Sequence, residues 1–334
     1  MTRPLILHLV DDLTCGGVTR VLDHIQSCPK MAQDAEHRVQ PVKRGAFVPG
    51  RVEADIIVSH LSVSWRTLPA LIALRALKAS VPLVHVEHSY TEAFAHHNVT
   101  RTGRFLSLLR TAYALFDRVV AVSEGQAEWL SKADLVQPEH LSVIRSCVDY
   151  RAFRALPAPA GPIRTFGAVG RLERQKGFDT MIEAFIQVKV PDIRLEIFGT
   201  GPQEAELRTL ARSDGRIRFM GFTSDPAMAL ASVDAVLMPS RWEAYGLVAA
   251  EALSARRPVL VNAIDGLTDH AEYGASVVAD ASAATWAKAI SAASRIGVPP
   301  PRPTAQLEIS FAAGWHRLIS ELMAPGVVEQ GADA

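Results

Sequence analysis

Short apolar runs rich in Val, Ile and Leu recur along this chain, separated by longer amphipathic stretches, and that alternation restricts the fold more than any other feature. PLILHLV, DIIVSHL, PLVHVEH and RVVAVS lie in the first half; RTFGAVG, RLEIFG, IRFMGF, DAVLMPS and PVLVNA lie in the second. Runs this short and continuously apolar read as strands buried on both faces. Between them, GFDTMIEAFIQVK and QEAELRTLAR carry the helical period. Alternating strand and helix makes the strands parallel, with each crossover helix covering a face of the sheet. The alternation stops once, at RALPAPAGPIR, residues 154–164, where proline and glycine leave little to bury. The expected organisation is therefore α/β: two doubly wound domains facing a central cleft. Residues 1–153 form the first, 154–164 the linker and 165–305 the second. In 306–334, EISFAAGWHRLISELM predicts an amphipathic helix, expected to pack back toward the first domain after the stiff connector VPPPRP.

Charge and cysteine content exclude several classes. The 334 residues carry 35 basic and 35 acidic side chains, so no net charge favours a nucleic-acid partner. Cys15, Cys28 and Cys147 are odd in number, scattered, and not in metal-ligand spacing, which fits a reducing compartment. The opening MTRPLILHLVDD meets two aspartates too soon for a secretory leader. No run approaches the ~18 apolar residues a membrane span needs. A cytoplasmic protein without a bound metal is expected.

Ligands of open parallel sheets collect beyond the carboxyl ends of the strands, where the next helices begin. RWEAYGLVAAEAL, residues 241–253, joins such a strand end to a helix start. Backbone amides of Gly246, Leu247 and Val248 would seat a phosphate there. Glu243 and Glu251 would flank it, and carboxylates suit sugar hydroxyls; a nucleotide sugar has that layout. The alternative is a capping or solvated Glu243 with Glu251 exposed on its helix. In GAVGRLERQKGFDTMIEAF, residues 167–185, Arg171 and Lys176 stand between a strand ending at Gly170 and a helix opened by Gly177. Paired cations there suit a diphosphate, although two basic loop residues alone are commonly just solvated.

VGRLERQKGFDTMIEAF, LEIFGTGPQEAELRTLA and SRWEAYGLVAAEALSARRPVLV together resemble the GT-B retaining glycosyltransferases of family 4, the glycosyl transferases group 1. LTCGGVTRVL, VEHS and AVSEGQAEWL resemble its first-half motifs, so the likeness covers nearly the whole chain. The resemblance implies two Rossmann-like domains in the GT-B arrangement. It implies that Arg171 and Lys176 hold the donor diphosphate, Glu251 the ribose, Glu243 the donor sugar, and Gly246, Leu247 and Val248 the phosphates. Gly16 and Gly17 would approach from across the cleft, and His88 would lie near the transferred sugar. Gly170, Tyr245 and Asp269 complete the implied donor-binding set. Nine of the eleven histidines fall in the first 150 residues, so only its strand-end position singles out His88.

Two segments depart from the family pattern. Residues 144–149 read IRSCVD where the family has IPNGVD, so the local loop is expected to differ. In DGLTDHAEYG, Asp265 replaces a glycine and Asp269 stands at the acid position, which bears on sugar preference. By resemblance the reaction is retaining and metal-independent, and no Asp-X-Asp motif occurs. The implied substrates are a nucleotide sugar, UDP-sugar favoured over GDP-mannose, and a glycan or lipid-linked acceptor, as in bacterial-type polysaccharide or glycolipid synthesis. TRTGRFLSLLRTAYALF, with Arg101, Arg104 and Arg110, could touch an anionic membrane surface or be a core helix with a solvated basic edge. A GT-B nucleotide-sugar epimerase and a non-catalytic sugar-nucleotide-binding subunit are the alternative functions.

Overall fold

The computed structural model describes residues 3–14, 16–46 and 53–324; Cys15 and the end of the expected tail, 325–334, lie outside them. Two six-stranded parallel sheets organise the chain. The first contains β1 (Leu5–Val10), β2 (Glu36–Pro41), β3 (Ile56–His60), β4 (Leu83–Glu87), β5 (Arg118–Ala121) and β6 (Leu141–Val143). Its spatial order is β2-β1-β3-β4-β5-β6. The second contains β7 (Thr165–Val169), β8 (Arg194–Phe198), β9 (Ile217–Gly221), β10 (Ala235–Met238), β11 (Val259–Asn262) and β12 (Ser276–Val278), ordered β12-β11-β10-β7-β8-β9. All nine apolar runs are strands. The three further strands, β2, β6 and β12, are all at sheet edges, where one side of the ladder and much of each face stay exposed.

Helices cover both faces of each sheet, as parallel crossovers require. In each sheet the strand order reverses once, between β1 and β3 in the first and between β7 and β10 in the second. Those reversals open crevices at the carboxyl ends, and the loops after β1, β7 and β10 carry the glycine, basic and acidic motifs.

Arg256 and Arg257 donate to the carbonyls of Leu156 and Pro157, tying the linker to the second domain. The long helix Ala305–Met323 lies against the first domain, where the Trp315 ring meets His8 and His316 meets Asp34, and Glu308 pairs with Arg154 at the start of the linker at 2.7 Å. One hydrophobic cluster runs through this contact, joining Leu307, Phe311 and Trp315 to Ile144, Cys147, Val148 and Tyr150, and on to Tyr245 and Leu253. Residues 145–147 of the divergent segment have no positive φ, so Arg, Ser and Cys fit there without the strain that an asparagine-glycine turn would impose. Among the described residues no helix is long and apolar enough to cross a membrane.

Candidate active site in the interdomain cleft

The loop after β7 tightens into a single 3-10 turn, Arg174–Lys176, before the helix Phe178–Gln187. Gly177 separates them at φ 64°, a left-handed conformation that a side chain would strain. A Cβ at Gly177 would lie 2.2 Å from the Pro239 carbonyl oxygen, so glycine also allows the turn to sit on the end of β10. There Arg241 N donates to Gln175 O at 2.7 Å, Gln175 Nε2 to Trp242 O at 3.1 Å, and the Arg241 guanidinium to both Asp179 carboxylate oxygens. This bracing delivers Lys176 to Glu243: Nζ and Oε2 are 2.5 Å apart, with both side chains mostly buried. Ser240 Oγ lies 3.3 Å from the same oxygen. A Cβ on Gly170 would lie 3.3 Å from Lys176 Cε, so the strand end forms one wall of the lysine's channel. Arg171 is 65% exposed and paired with Glu173 at 3.2 Å, outside the Lys176–Glu243 contact.

Gly246, at φ 90°, starts the helix Leu247–Ser254. The amides of Gly246, Leu247 and Val248 have no hydrogen-bond partner among the described residues, as expected for a helix start. The helix is nearly all Ala, Leu and Val, yet it carries Glu251 at 1% exposure. That removes the solvated reading of Glu251. Burial raises its pKa above the ordinary carboxylate value, and Arg20 opposes the rise from 2.6 Å. The contact is close but not aligned as a hydrogen bond, since Glu251 Oε1 has no hydrogen-bond partner. A carboxylate so placed is costly to bury and poorly satisfied, which favours a ligand-binding role over a structural one.

Arg20 belongs to the first-domain helix Gly17–Ser27 and so reaches the second domain across the cleft. The sequence reading missed it, although it lies one turn beyond Gly16 in the glycine motif. A Cβ at Gly17 would lie 3.3 Å from Leu247 Cδ1, so the glycine loop and the phosphate-seat helix meet directly. Tyr245 is buried with its ring 4.6 Å from His270, and His270 Nε2 bonds the Tyr245 carbonyl at 2.8 Å. Its side chain therefore belongs to the core beneath the loop. His88 follows β4 and is bonded through Nε2 to His60 Nδ1 at 2.8 Å.

The two divergent acids both bridge the domains. Asp265 accepts from Thr91 Oγ1 at 2.7 Å, Ala93 N at 3.2 Å and Glu243 N at 3.1 Å. Its backbone sits at φ 38°, and burial raises its pKa. Asp269 accepts from the amides of Glu124 and Gly125, at the start of the helix Glu124–Lys132, and from Arg145 Nε at 2.9 Å. Its bonds thus run to the first domain and not to the Lys176–Glu243 cluster. The departures at 145 and 269 pair with one another. Space here is tight: a Cβ on Gly125 would lie 2.4 Å from Asp265 O. Trp242, also unanticipated, packs between the domains against Phe94 and His97. Among the described residues no group of three or more His, Cys, Asp or Glu is arranged to hold a metal ion.

Two doubly wound domains meeting at a helix N-terminus, a Lys–Glu pair and a buried acid define the GT-B class of fold. The family model described as glycosyl transferases group 1 matches residues 163–295, and that described as glycosyltransferase family 4 matches 28–151. With one match in each domain, the chain belongs to the family 4 glycosyltransferases. It is 29% identical over 246 residues to 2-deoxystreptamine glucosyltransferase of Streptomyces kanamyceticus, covering 66% of this chain and 62% of that protein. The chain thus spans less than two thirds of that relative's length. Sucrose-phosphate synthase from Thermosynechococcus elongatus has a TM-score of 0.71 at 18% identity, covering 96% of this chain and all of that one. Anabaena Alr3699/HepE in complex with UDP and glucose has a TM-score of 0.67, also at 18% identity, covering 96% and 95%.

Proposed function

We propose that the protein is a retaining, metal-independent hexosyltransferase, using a nucleotide sugar with UDP as the favoured carrier and a glycan or lipid-linked acceptor. The observation that carries this reading is the Lys176–Glu243 contact at 2.5 Å beside the Gly246 helix start, with Glu251 buried in the same helix. Lys176 and Glu243 neutralise each other without ligand. A donor inserted between them gives the lysine a phosphate and the glutamate a sugar hydroxyl. The bond between the anomeric carbon and the β-phosphate oxygen breaks as the acceptor oxygen bonds that carbon from the same face. The acceptor proton passes to the departing phosphate. Lys176, Arg171 and the helix N-terminus stabilise the charge that develops on the leaving group. The UDP and glucose in the Anabaena structure support the choice of donor class.

For the acceptor, the helix Thr102–Tyr113 buries Leu108, Leu109 and Tyr113, and Arg110 is bonded to the carbonyls of Ala133 and Asp134. Arg101 and Arg104 remain exposed, with Arg104 over the half-exposed Trp65 at 5.2 Å. That patch suits a lipid surface, and flotation with anionic vesicles at low salt tests it. The central test is a thermal-shift panel of UDP, GDP, ADP and TDP with and without Mg²⁺, followed by transfer assays on Glu243→Ala and Lys176→Ala. Stabilisation by one nucleoside diphosphate without metal, with most transfer lost in both variants, is expected. Near-normal turnover in either variant refutes the site, and donor binding without nucleoside diphosphate release to any acceptor favours a binding subunit.

A further inference from the structure

Four histidines from four separate strand regions form one hydrogen-bonded file. His37 Nδ1 meets His8 Nε2 at 3.0 Å, His8 Nδ1 meets His60 Nε2 at 3.0 Å, and His60 Nδ1 meets His88 Nε2 at 2.8 Å. Successive ring centroids are 5.3, 5.3 and 5.1 Å apart. His37 stands on the edge strand β2, His8 on β1, His60 at the end of β3, and His88 just beyond β4. The file therefore runs from a sheet edge to a residue of the candidate site.

All four rings are neutral at pH 7. Burial, the largest cause at each, holds His8 at about 3 and His37 and His88 at about 4, and puts His60 well below its ordinary value. The facing groups do not reverse this: Asp34 beside His37, Glu87 and His85 beside His88, His85 beside His60, and Trp315 against His8; His316 is engaged with Asp34. A neutral imidazole has one N–H and one lone pair. Three successive ring–ring bonds then allow only two arrangements, with every proton pointing one way or every proton pointing the other. The end of the file selects between them. His37 Nε2 is buried and has no partner. Orphaned buried N–H groups are rarer than orphaned acceptors, so the lone pair belongs on that nitrogen and the proton on His37 Nδ1. Each ring in turn then carries its proton on Nδ1, ending at His88.

We propose that His37, His8 and His60 are positioning residues that hold His88 as its Nδ1–H tautomer, making its remaining nitrogen a hydrogen-bond donor to an oxygen of the bound sugar nucleotide. His88 Nε2 is taken by His60, and among the described residues Nδ1 has no hydrogen-bond partner, so a ligand can take that bond. The inference rests on the transferase reading only for the ligand's identity; the tautomer coupling is a property of the unliganded protein.

Ring ¹⁵N–¹H correlation spectra of the full chain labelled in histidine test it. At neutral pH all four rings should show a protonated Nδ1 and a bare Nε2. In His37→Ala, water can fill the vacated space and either donate to or accept from His8, so His88 should become a mixture. Its two nitrogen resonances should then move toward one another. A protonated Nε2 on any of the four rings of the unaltered protein overturns the proposal, and that measurement needs no variant. An unchanged His88 in folded His37→Ala also overturns it. UDP-glucose added to the unaltered protein separates the two readings. If it leaves His88 unmoved while the coupling holds, the donor-site assignment fails; if it moves His88 while the coupling is absent, the file fails.

Discussion

Mild acid should destabilise this protein through its first domain, and the size of the effect follows from the same four rings. His8, His37, His60 and His88 are held neutral by burial, far below the 6.5 that an unfolded chain restores. A depressed folded pKa contributes stability that is complete above the unfolded value and is lost as pH falls toward the folded one. At pH 5 the unfolded chain gains about 2 kcal/mol per histidine from protons the folded chain does not bind, or about 8 kcal/mol for four as an upper bound. A domain has only about 5–15 kcal/mol in total. His24 acts in the same direction. In the second domain His270 adds to the loss, while Glu251 and Asp265, with raised pKa values, gain stability as pH falls and offset it. Urea midpoints measured between pH 7 and pH 5 should therefore fall steeply, the slope near pH 5 corresponding to about four protons taken up on unfolding. Hydrogen exchange resolved by peptide should place the loss in β1 to β4. A slope near one proton, or a loss centred on the second sheet, would refute the claim that all four rings are neutral in the folded chain.

Three further perturbations probe the site. Gly177→Ala places a Cβ 2.2 Å from Pro239 O at φ 64°. The left-handed backbone alone should cost roughly 1–2 kcal/mol, and thermal melts should show that loss together with weaker nucleoside diphosphate binding. Asp269→Ala removes the bonds to Glu124 N, Gly125 N and Arg145. It should be non-additive with Arg145→Ala by about 0.5–3 kcal/mol, and additive melting shifts would mean the bridge contributes nothing. Glu251→Gln keeps the helix and relieves a buried charge but loses a charged acceptor. Nucleoside diphosphate affinity measured by calorimetry should fall about tenfold or more, on about 1.5–3 kcal/mol per charged hydrogen bond, with the fold retained; undiminished affinity would rule out contact with the ribose.

Much of the architecture was legible in the residue order. Eight of the nine apolar runs are central strands; the ninth, IRFMGF, is the edge strand β9, partly exposed along its length rather than buried on both faces. The three strands not anticipated lie at sheet edges: EHRVQP is half-exposed and ends in proline, and LSV and SVV have three residues each. An edge strand buries too little for its sequence to need an apolar run. The acids at 265 and 269 and the arginine at 145 were visible as departures, but nothing local said that Arg145 and Asp269 meet or that Asp265 accepts from Thr91 and Ala93. Arg20 and Trp242 stand inside the quoted motifs, but nothing local said that either side chain reaches the other domain.

By itself, the sequence determined the alternation of strand and helix and which loops stand at the carboxyl ends. Each depends on residues a few positions apart, where backbone period and glycine placement act directly. Only the tertiary structure decided which of those loops touch. Arg20 on Glu251, Asp265 on Thr91 and the file of four histidines join positions with no common period. Strand order, pleat and domain closure bring them together, and all three are set by packing the whole chain.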